Sequence, residues 1–325
     1  MEKPLKCTVV IPTYNRAVLL GRTLESLARQ SLPPEQFQVI VVDDGSGDAT
    51  ADMVRGFGQR LNLRYFFQED EGWRVARARN VGIANAAADV CVFIDSGVML
   101  HSGCLAAHIA SHDAAPGPVA VLGYVWGFDV NDVDVAAAGA IPKAIDLDDL
   151  DASISRMAAE RQWLDKREDF YAKYTDDFHG LPAPWIVFWT CNVSARTELI
   201  RSVGGFDEAF HGWGGEDLDL GYRLFNAGAK IVLNRQASSI HLPHPKVYAD
   251  NQRAATANFR YMASKYGTPI VRLLTEFPET FPEDLTDIVT PFNMNDVIRE
   301  RGLPSCAEYL SRRDGAPRPG AGADR

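Results

Sequence analysis

The chain has 325 residues, 46% of them hydrophobic and 23% charged, the composition of an ordinary globular protein with room for one large domain or two small ones. A formal net charge of -10 and a pI near 5.2 exclude a protein that tracks nucleic-acid phosphates or docks on anionic lipid through a basic face, so any bound phosphate must meet local donors. The five cysteines, Cys7, Cys91, Cys104, Cys191 and Cys306, are widely spaced without a C-x-x-C pair, and buried reduced thiols are expected.

Met1-Glu2-Lys3 leads straight into a strand-like segment without a charged-then-apolar leader. No apolar stretch is long enough to span a bilayer, and a cytoplasmic location without a transmembrane anchor is the expectation. Thr8 to Ile11, Val39 to Val42, Leu63 to Phe67 and Val90 to Ile94 read as buried strands, being short, β-branched or aromatic, and bounded by Gly, Pro or Asp. Leu19, Leu20, Thr23, Leu24 and Leu27 repeat at helical spacing, and Thr50 to Phe57 and Asn80 to Ala87 are the next helical segments. This alternation predicts an α/β fold, a mainly parallel sheet flanked by helices, with ligands at the carboxyl ends of the strands. Beyond it, residues 129–180 read as an acidic and helical insertion in which Ile154, Met157, Arg161, Leu164 and Tyr171 trace a helix. Trp185 to Val193 reads as a strand, followed by a Gly-rich acidic segment, a helix through Leu220 and Leu224, and a strand over Lys230 to Leu233. The division expected is 1–245 catalytic (1–100 binding nucleotide, 185–245 binding acceptor), 246–314 a helical extension, and 315–325 a disordered Gly/Pro/Ala-rich tail.

Five constellations stand at or near the strand ends. Asp43-Asp44-Gly45-Ser46 follows a strand with no spacer; a carboxylate there accepts a hydrogen bond from a base N–H, and the competing reading is a helix-capping turn. Arg74, Arg77 and Arg79 form the dense basic cluster of an acidic chain, suited to a diphosphate or simply a solvated helix face. Asp95 ends the strand Val90 to Ile94, where an exposed carboxylate can meet a divalent cation or cap a turn. His241-Leu242-Pro243-His244 adds imidazoles that could approach the same cation, or a surface pair beside Pro. Gly212-Trp213-Gly214-Gly215-Glu216-Asp217 is the densest signal. Its glycines let backbone approach a ligand, Trp213 offers a face for a sugar, and adjacent carboxylates can raise one pKa and prepare a general base; the alternative is a glycine loop before a helix that favours acids.

In combination these motifs resemble the GT-A glycosyltransferases, family two in particular. Val10-Ile11-Pro12-Thr13-Tyr14-Asn15-Arg16, Val42-Asp43-Asp44-Gly45-Ser46 and Ala78-Arg79-Asn80-Val81-Gly82 match its nucleotide-binding half over about Thr8 to Leu100. Gly204-Gly205-Phe206-Asp207-Glu208 and the run from Gly212 to Leu220 resemble the acceptor half of galactosyltransferase-like members, over about Thr190 to His244. The resemblance implies that Pro12, Thr13, Tyr14, Asn15, Asp44, Arg79, Asp95 and Ser96 bind the nucleotide sugar. It implies Asn192, Trp213, Gly214 and Gly215 on the sugar and acceptor side, Asp217 with Glu216 as base or acceptor anchor, and a cation at Asp95 with His244 first and His241 second. The family usually has Asp-x-Asp at the strand end; here Asp95-Ser96-Gly97 puts glycine in the second position, and mixed nitrogen and oxygen donors suit manganese better than magnesium.

The expected reaction is transfer of a hexosyl group from a nucleoside-diphosphate sugar, with uridine the favoured base, to a hydroxyl acceptor, with inversion. The acceptor expected is small or a glycan precursor, with no role for nucleic acid, and the acidic stretch from Asp129 to Asp151 could cover the site or attract a cationic aminocyclitol. A retaining GT-A transferase and a catalytically inactive sugar-nucleotide-binding module are the rival readings.

Overall fold

The structure is a computed structural model that describes residues 4–127, 143–178, 180–244, 248–278, 288–305, 308, 309 and 311. An eight-stranded sheet organises it: β1 (Cys7–Thr13), β2 (Phe37–Asp43), β3 (Leu63–Phe67), β4 (Val90–Ile94), β5 (Val98–Leu100), β6 (Val119–Trp126), β7 (Asn192–Arg196) and β8 (Lys230–His241), in the spatial order β3-β2-β1-β4-β7-β6-β8-β5. The block β3-β2-β1-β4 is parallel. β7 then runs antiparallel between β4 and β6, β8 lies parallel to β6, and β5 closes the edge antiparallel to β8. Every residue of β1, β2, β4 and β6 is buried, as a strand covered on both faces requires, whereas the edge strand β3 is only partly buried.

Helices α1 (Ala17–Leu27), α2 (Thr50–Arg55) and α3 (Val75–Ala84) flank the parallel half, and α4 (Cys104–Ala114) packs mainly on β8 and β6. α1 buries Leu20, Thr23, Leu24 and Leu27, the stripe its periodicity predicts. α3 lies almost on β1: a Cβ added at Gly82 would sit 2.3 Å from Val10 Cγ1. It also begins at Val75, five residues before the expected start, which turns Arg79 inward.

Among its described residues the insertion forms α5 (Leu150–Glu160) and α6 (Glu168–Tyr174) where a single helix was expected. Arg161 ends α5 in the left-handed conformation at φ 51°, which breaks the apparent stripe from Ile154 to Tyr171. Residues 128–142, most of the acidic stretch, lie outside the described residues. The run Trp185 to Val193 is a 3-10 turn over Pro184–Val187 and then the start of β7. Trp185, Ile186, Val187 and Phe188 are wholly buried, and a short apolar run is equally apolar in either conformation, so periodicity could not separate them. α7 (Thr197–Ser202), α8 (Glu216–Asn226), α9 (Tyr248–Tyr266), α10 (Pro269–Arg272) and α11 (Met294–Glu300) follow in the second half of the chain. Cys7, Cys91, Cys104 and Cys191 are buried free thiols; Cys306 and the tail from 315 lie outside the described residues.

Candidate active site

The carboxyl ends of β1, β2 and β4 open onto one edge of the sheet, and the loops there hold most of the expected site residues. Asp44 follows β2 and accepts from the backbone N–H of Arg74 at 2.8 Å and from Gln68 Nε2 at 2.5 Å. Its neighbour Asp43 is wholly buried and structural, accepting from Ser46 N at 2.8 Å and Tyr65 OH at 2.6 Å. Gly45 is held at φ 98°, and an added Cβ would lie 2.5 Å from Asp70 N, so both conformation and space require glycine. Asn15, at φ 49°, donates its backbone N–H to Ser46 Oγ and accepts from Gly47 N, tying the β1 loop to the β2 loop. Tyr14 is 44% exposed and donates to Asp70. Pro12 is buried within β1. Thr13 Oγ1, Gln68 Oε1 and Arg74 Nε are buried without hydrogen-bond partners among the described residues. Unsatisfied polar atoms on residues beside these strand ends could be met by a polar ligand.

Arg79 is 3% exposed and bridges the two halves of the protein. It donates Nη1 to Glu216 Oε1 at 2.9 Å and Nη2 to Asp95 Oδ1 at 3.0 Å, while its guanidinium stacks over Phe206 at 5.2 Å. With both ends committed, it acts as a strut between α8 and β4 and is not an open donor for a diphosphate. Arg74 and Arg77 stay nearer the surface, both approaching Glu71. One oxygen of Glu216, Oε2, is buried with no partner among the described residues. Next to it Asp217, half-buried at the first turn of α8, has its carboxyl pushed up to about 7, first by burial and second by the charge of Glu216, against the pull of Arg79. A carboxyl poised near neutrality and still open to solvent is what a general base requires.

On the other flank, Asp95 has a side chain 38% exposed and Ser96 is buried behind it. Gly97 is held at φ 100° and donates its N–H to Thr23 Oγ1, so the absent second carboxylate coincides with a backbone that disfavours any side chain. His241 ends β8 opposite Val98, and its ring centroid lies 5.5 Å from that of His244. Arg16 spans the ring of His244, with Nη1 to Nε2 at 2.9 Å and Nη2 to Nδ1 at 3.3 Å. Burial lowers the Arg16 pKa while nearby Asp95 raises it. Among the described residues, no three His, Cys, Asp or Glu side chains converge to hold an ion. Both ring nitrogens of His244 face the Arg16 guanidinium, so Asp95 with these imidazoles could hold a cation only once that contact opens and phosphate oxygens complete the shell.

The loop from Gly212 to Gly215 carries Trp213, 44% exposed, with Gly212, Gly214 and Gly215 at φ 72°, 86° and 99°. Asn192, expected near the sugar, is placed elsewhere: it is wholly buried in β7, donating to Ala237 O and Ser239 Oγ and accepting from His108 Nε2 at 2.8 Å. An amide so fully engaged in the core has no hydrogen bond left for a ligand.

Two family models match the chain: Glycosyl transferase family 2 over residues 8–168, and the N-terminal domain of galactosyltransferase over residues 175–245. An uncharacterised glycosyltransferase of Bacillus subtilis, YfnE, is 31% identical over 307 residues, which is 87% of this chain and 76% of that protein. The chain belongs to glycosyltransferase family 2. The chain is also 39% identical over 252 residues to validoxylamine A glucosyltransferase of Streptomyces hygroscopicus subsp. limoneus, covering 77% of its own length and 54% of the relative's. It thus spans about half the length of the first curated relatives it matches. The chain has the GT-A fold. Its backbone aligns with the mannosyltransferase PcManGT of Pyrobaculum calidifontis, solved with GDP-Man and Mn2+, at a TM-score of 0.57 and 18% identity, covering 97% of this chain and 76% of that one. TarS 1-349 of Staphylococcus aureus in complex with UDP-GlcNAc aligns at 0.54 and 18%, covering 84% and 71%. The family match runs well past residue 100, into the insertion, further than the sequence motifs reach.

Sequence reasoning missed three residues of the candidate site. Gln68 lacks a motif and is placed only by β3. Arg16 stands beside the Pro-Thr-Tyr-Asn run, but nothing in the sequence joins it to His244. Asn258, in α9, donates to the carbonyls of His211 and Gly214 from outside both matched regions.

Proposed function

We propose that this transferase moves a hexosyl group from a UDP-sugar to a hydroxyl acceptor with inversion, using Asp217 as the base. The observation that carries the reading is the pairing of a half-buried Asp217, its carboxyl near pKa 7, with Glu216 tied through Arg79 to Asp95. Arg79 thereby fixes the spacing between the base and the side where the leaving group departs.

Asp44, with Gln68 and the unsatisfied Thr13 hydroxyl around it, holds the base and ribose, and Tyr14 and Asn15 border them. Support comes from neighbours of the same fold solved with UDP or UDP-GlcNAc. Trp213 offers its face to the sugar, beside Gly214 and Gly215. Asp217 takes the proton of the acceptor hydroxyl as that oxygen bonds to the anomeric carbon and the bond to the diphosphate breaks, which inverts the centre in one displacement. Asp95 with His244, and His241 second, would hold a divalent cation, manganese rather than magnesium; bound there, it supplies positive charge to the departing diphosphate. Arg16, beside Asp95 and His244, adds a fixed positive charge on the same flank. Glucose is the favoured sugar and a small amine-bearing molecule the favoured acceptor, because the relatives at 39% identity are named validoxylamine A glucosyltransferases.

A screen of UDP-sugars and GDP-sugars for released nucleoside diphosphate, with and without manganese and with validoxylamine A as trial acceptor, tests this reading. UDP-glucose is expected to turn over fastest with manganese, giving a product of inverted anomeric configuration by NMR. Retained configuration would overturn the single displacement, and tight UDP binding with no turnover on any donor would leave only a binding module.

A further inference from the structure

The Gly-rich loop has a second neighbour that the family match does not reach. Helix α9 lies beyond residue 245, where the matched region ends, yet one of its faces covers the loop and the back of α8. A Cβ added at Gly212 would come 2.8 Å from Ala254 Cβ, and one at Gly215 would come 3.1 Å from Asn258 Cβ. The glycines are therefore required by close approach of a helix, in addition to their positive φ. Asn258, 5% exposed, donates Nδ2 to Gly214 O at 2.6 Å and to His211 O at 3.0 Å, satisfying two carbonyls on either side of Trp213. One and two turns further along, Tyr261 and Lys265 donate to Asp207, and Lys265 and Tyr266 donate to the wholly buried Asp219, two residues after Asp217. The spacing 254, 258, 261, 265 is one helical stripe.

We propose that α9 is a splint for the acceptor side of the site, and that Asn258 is a positioning residue: it orders the backbone of residues 211–214 and so sets where Trp213 and the first turn of α8 lie. The donor cradle around Asp44 sits on other loops and is independent of it. The consequence for catalysis rests on the reading of Asp217 as base, but the ordering of the loop does not, so the two can fail separately.

Hydrogen–deuterium exchange of the full chain, with UDP titrated in the presence of manganese, tests it on Asn258→Ala, on the nearly isosteric Asn258→Leu, and on Ala254→Leu, a half-buried position where the larger side chain presses on Gly212 without disturbing the core. Amides of residues 211–217 are expected to exchange at least tenfold faster in all three, with β1 and β2 unchanged. UDP Kd is expected to stay within twofold, and the Asp217 carboxyl, followed by 13C NMR, to leave its midpoint near 7. A structural role alone would not move that titration. Loop exchange like the wild type in all three variants would overturn the proposal, as would UDP affinity falling in step with loop order.

Discussion

Glu216→Gln isolates the cause of the unusual Asp217 carboxyl. Burial is the larger reason it rises from 3.8 to about 7, the Glu216 charge is the second, and Arg79 opposes both. One pH unit is worth about 1.4 kcal/mol, so a second-ranked repulsion that lifts the carboxyl by about one unit is readable in a titration. Relieved of one of its two carboxylates, Arg79 acts on Asp217 in the same downward direction. With Asp217 as the proposed base, active when ionised, kcat/KM is expected to climb with pH through a midpoint of about 7 in the wild type, and that midpoint to fall to about 6 in Glu216→Gln. UDP release at subsaturating donor from pH 5 to 9 reads the limb, and 13C NMR of the carboxyl follows the same titration where turnover is low. A limb still at 7, or one shifted upward, would refute the electrostatic coupling.

Further outcomes follow from the same geometry. Folded Asp217 keeps a proton that the unfolded chain releases above pH 3.8, so its contribution to stability falls as pH rises and is lost above about 7. Asp217→Asn should consequently match the wild type in urea denaturation near pH 4 and exceed it at pH 8, by up to about 4 kcal/mol less whatever solvent screens. Gly82→Ala drives a methyl into Val10 and should cost about 1–3 kcal/mol in the same denaturation assay. Asp219→Ala strips the buried partner of Lys265, Tyr266 and Arg223 and should cost about 3–5 kcal/mol, since the remaining charges lose their compensation. Asp44→Ala should weaken UDP binding by about 1.5–3 kcal/mol in calorimetric titration with the fold intact, as a lost charged hydrogen bond implies.

The parallel half of the fold was legible because its strands are buried on both faces and so read as short apolar runs, while α1 showed its stripe cleanly. β7 was misplaced since Trp185 to Phe188 are as apolar in a 3-10 turn as in a strand, and the apparent stripe through the insertion hid the left-handed stop at Arg161. α4, β5 and β6 were not read at all. In the site, Asp44, Asp95, Glu216 and Asp217 were visible as acids at strand or helix ends. The role of Arg79 was not, because a basic cluster in sequence looks like an open anion site, and only the fold shows Arg79 turned inward between two carboxylates. Asn192 misled for the converse reason: a polar residue in an apolar strand can serve the core, here by joining β7 to β8 and His108. Contacts such as Arg16 with His244, 228 positions apart, have no local signature.

If Asp217 is the base and the donor cradle is built elsewhere, Asp217→Asn separates turnover from binding. The variant keeps size and shape, so calorimetry with UDP and manganese should give an affinity within twofold of the wild type, while UDP release from the donor and acceptor pair that the wild type uses falls at least a hundredfold. Turnover at the wild-type rate, with binding intact, would show that Asp217 is not the base.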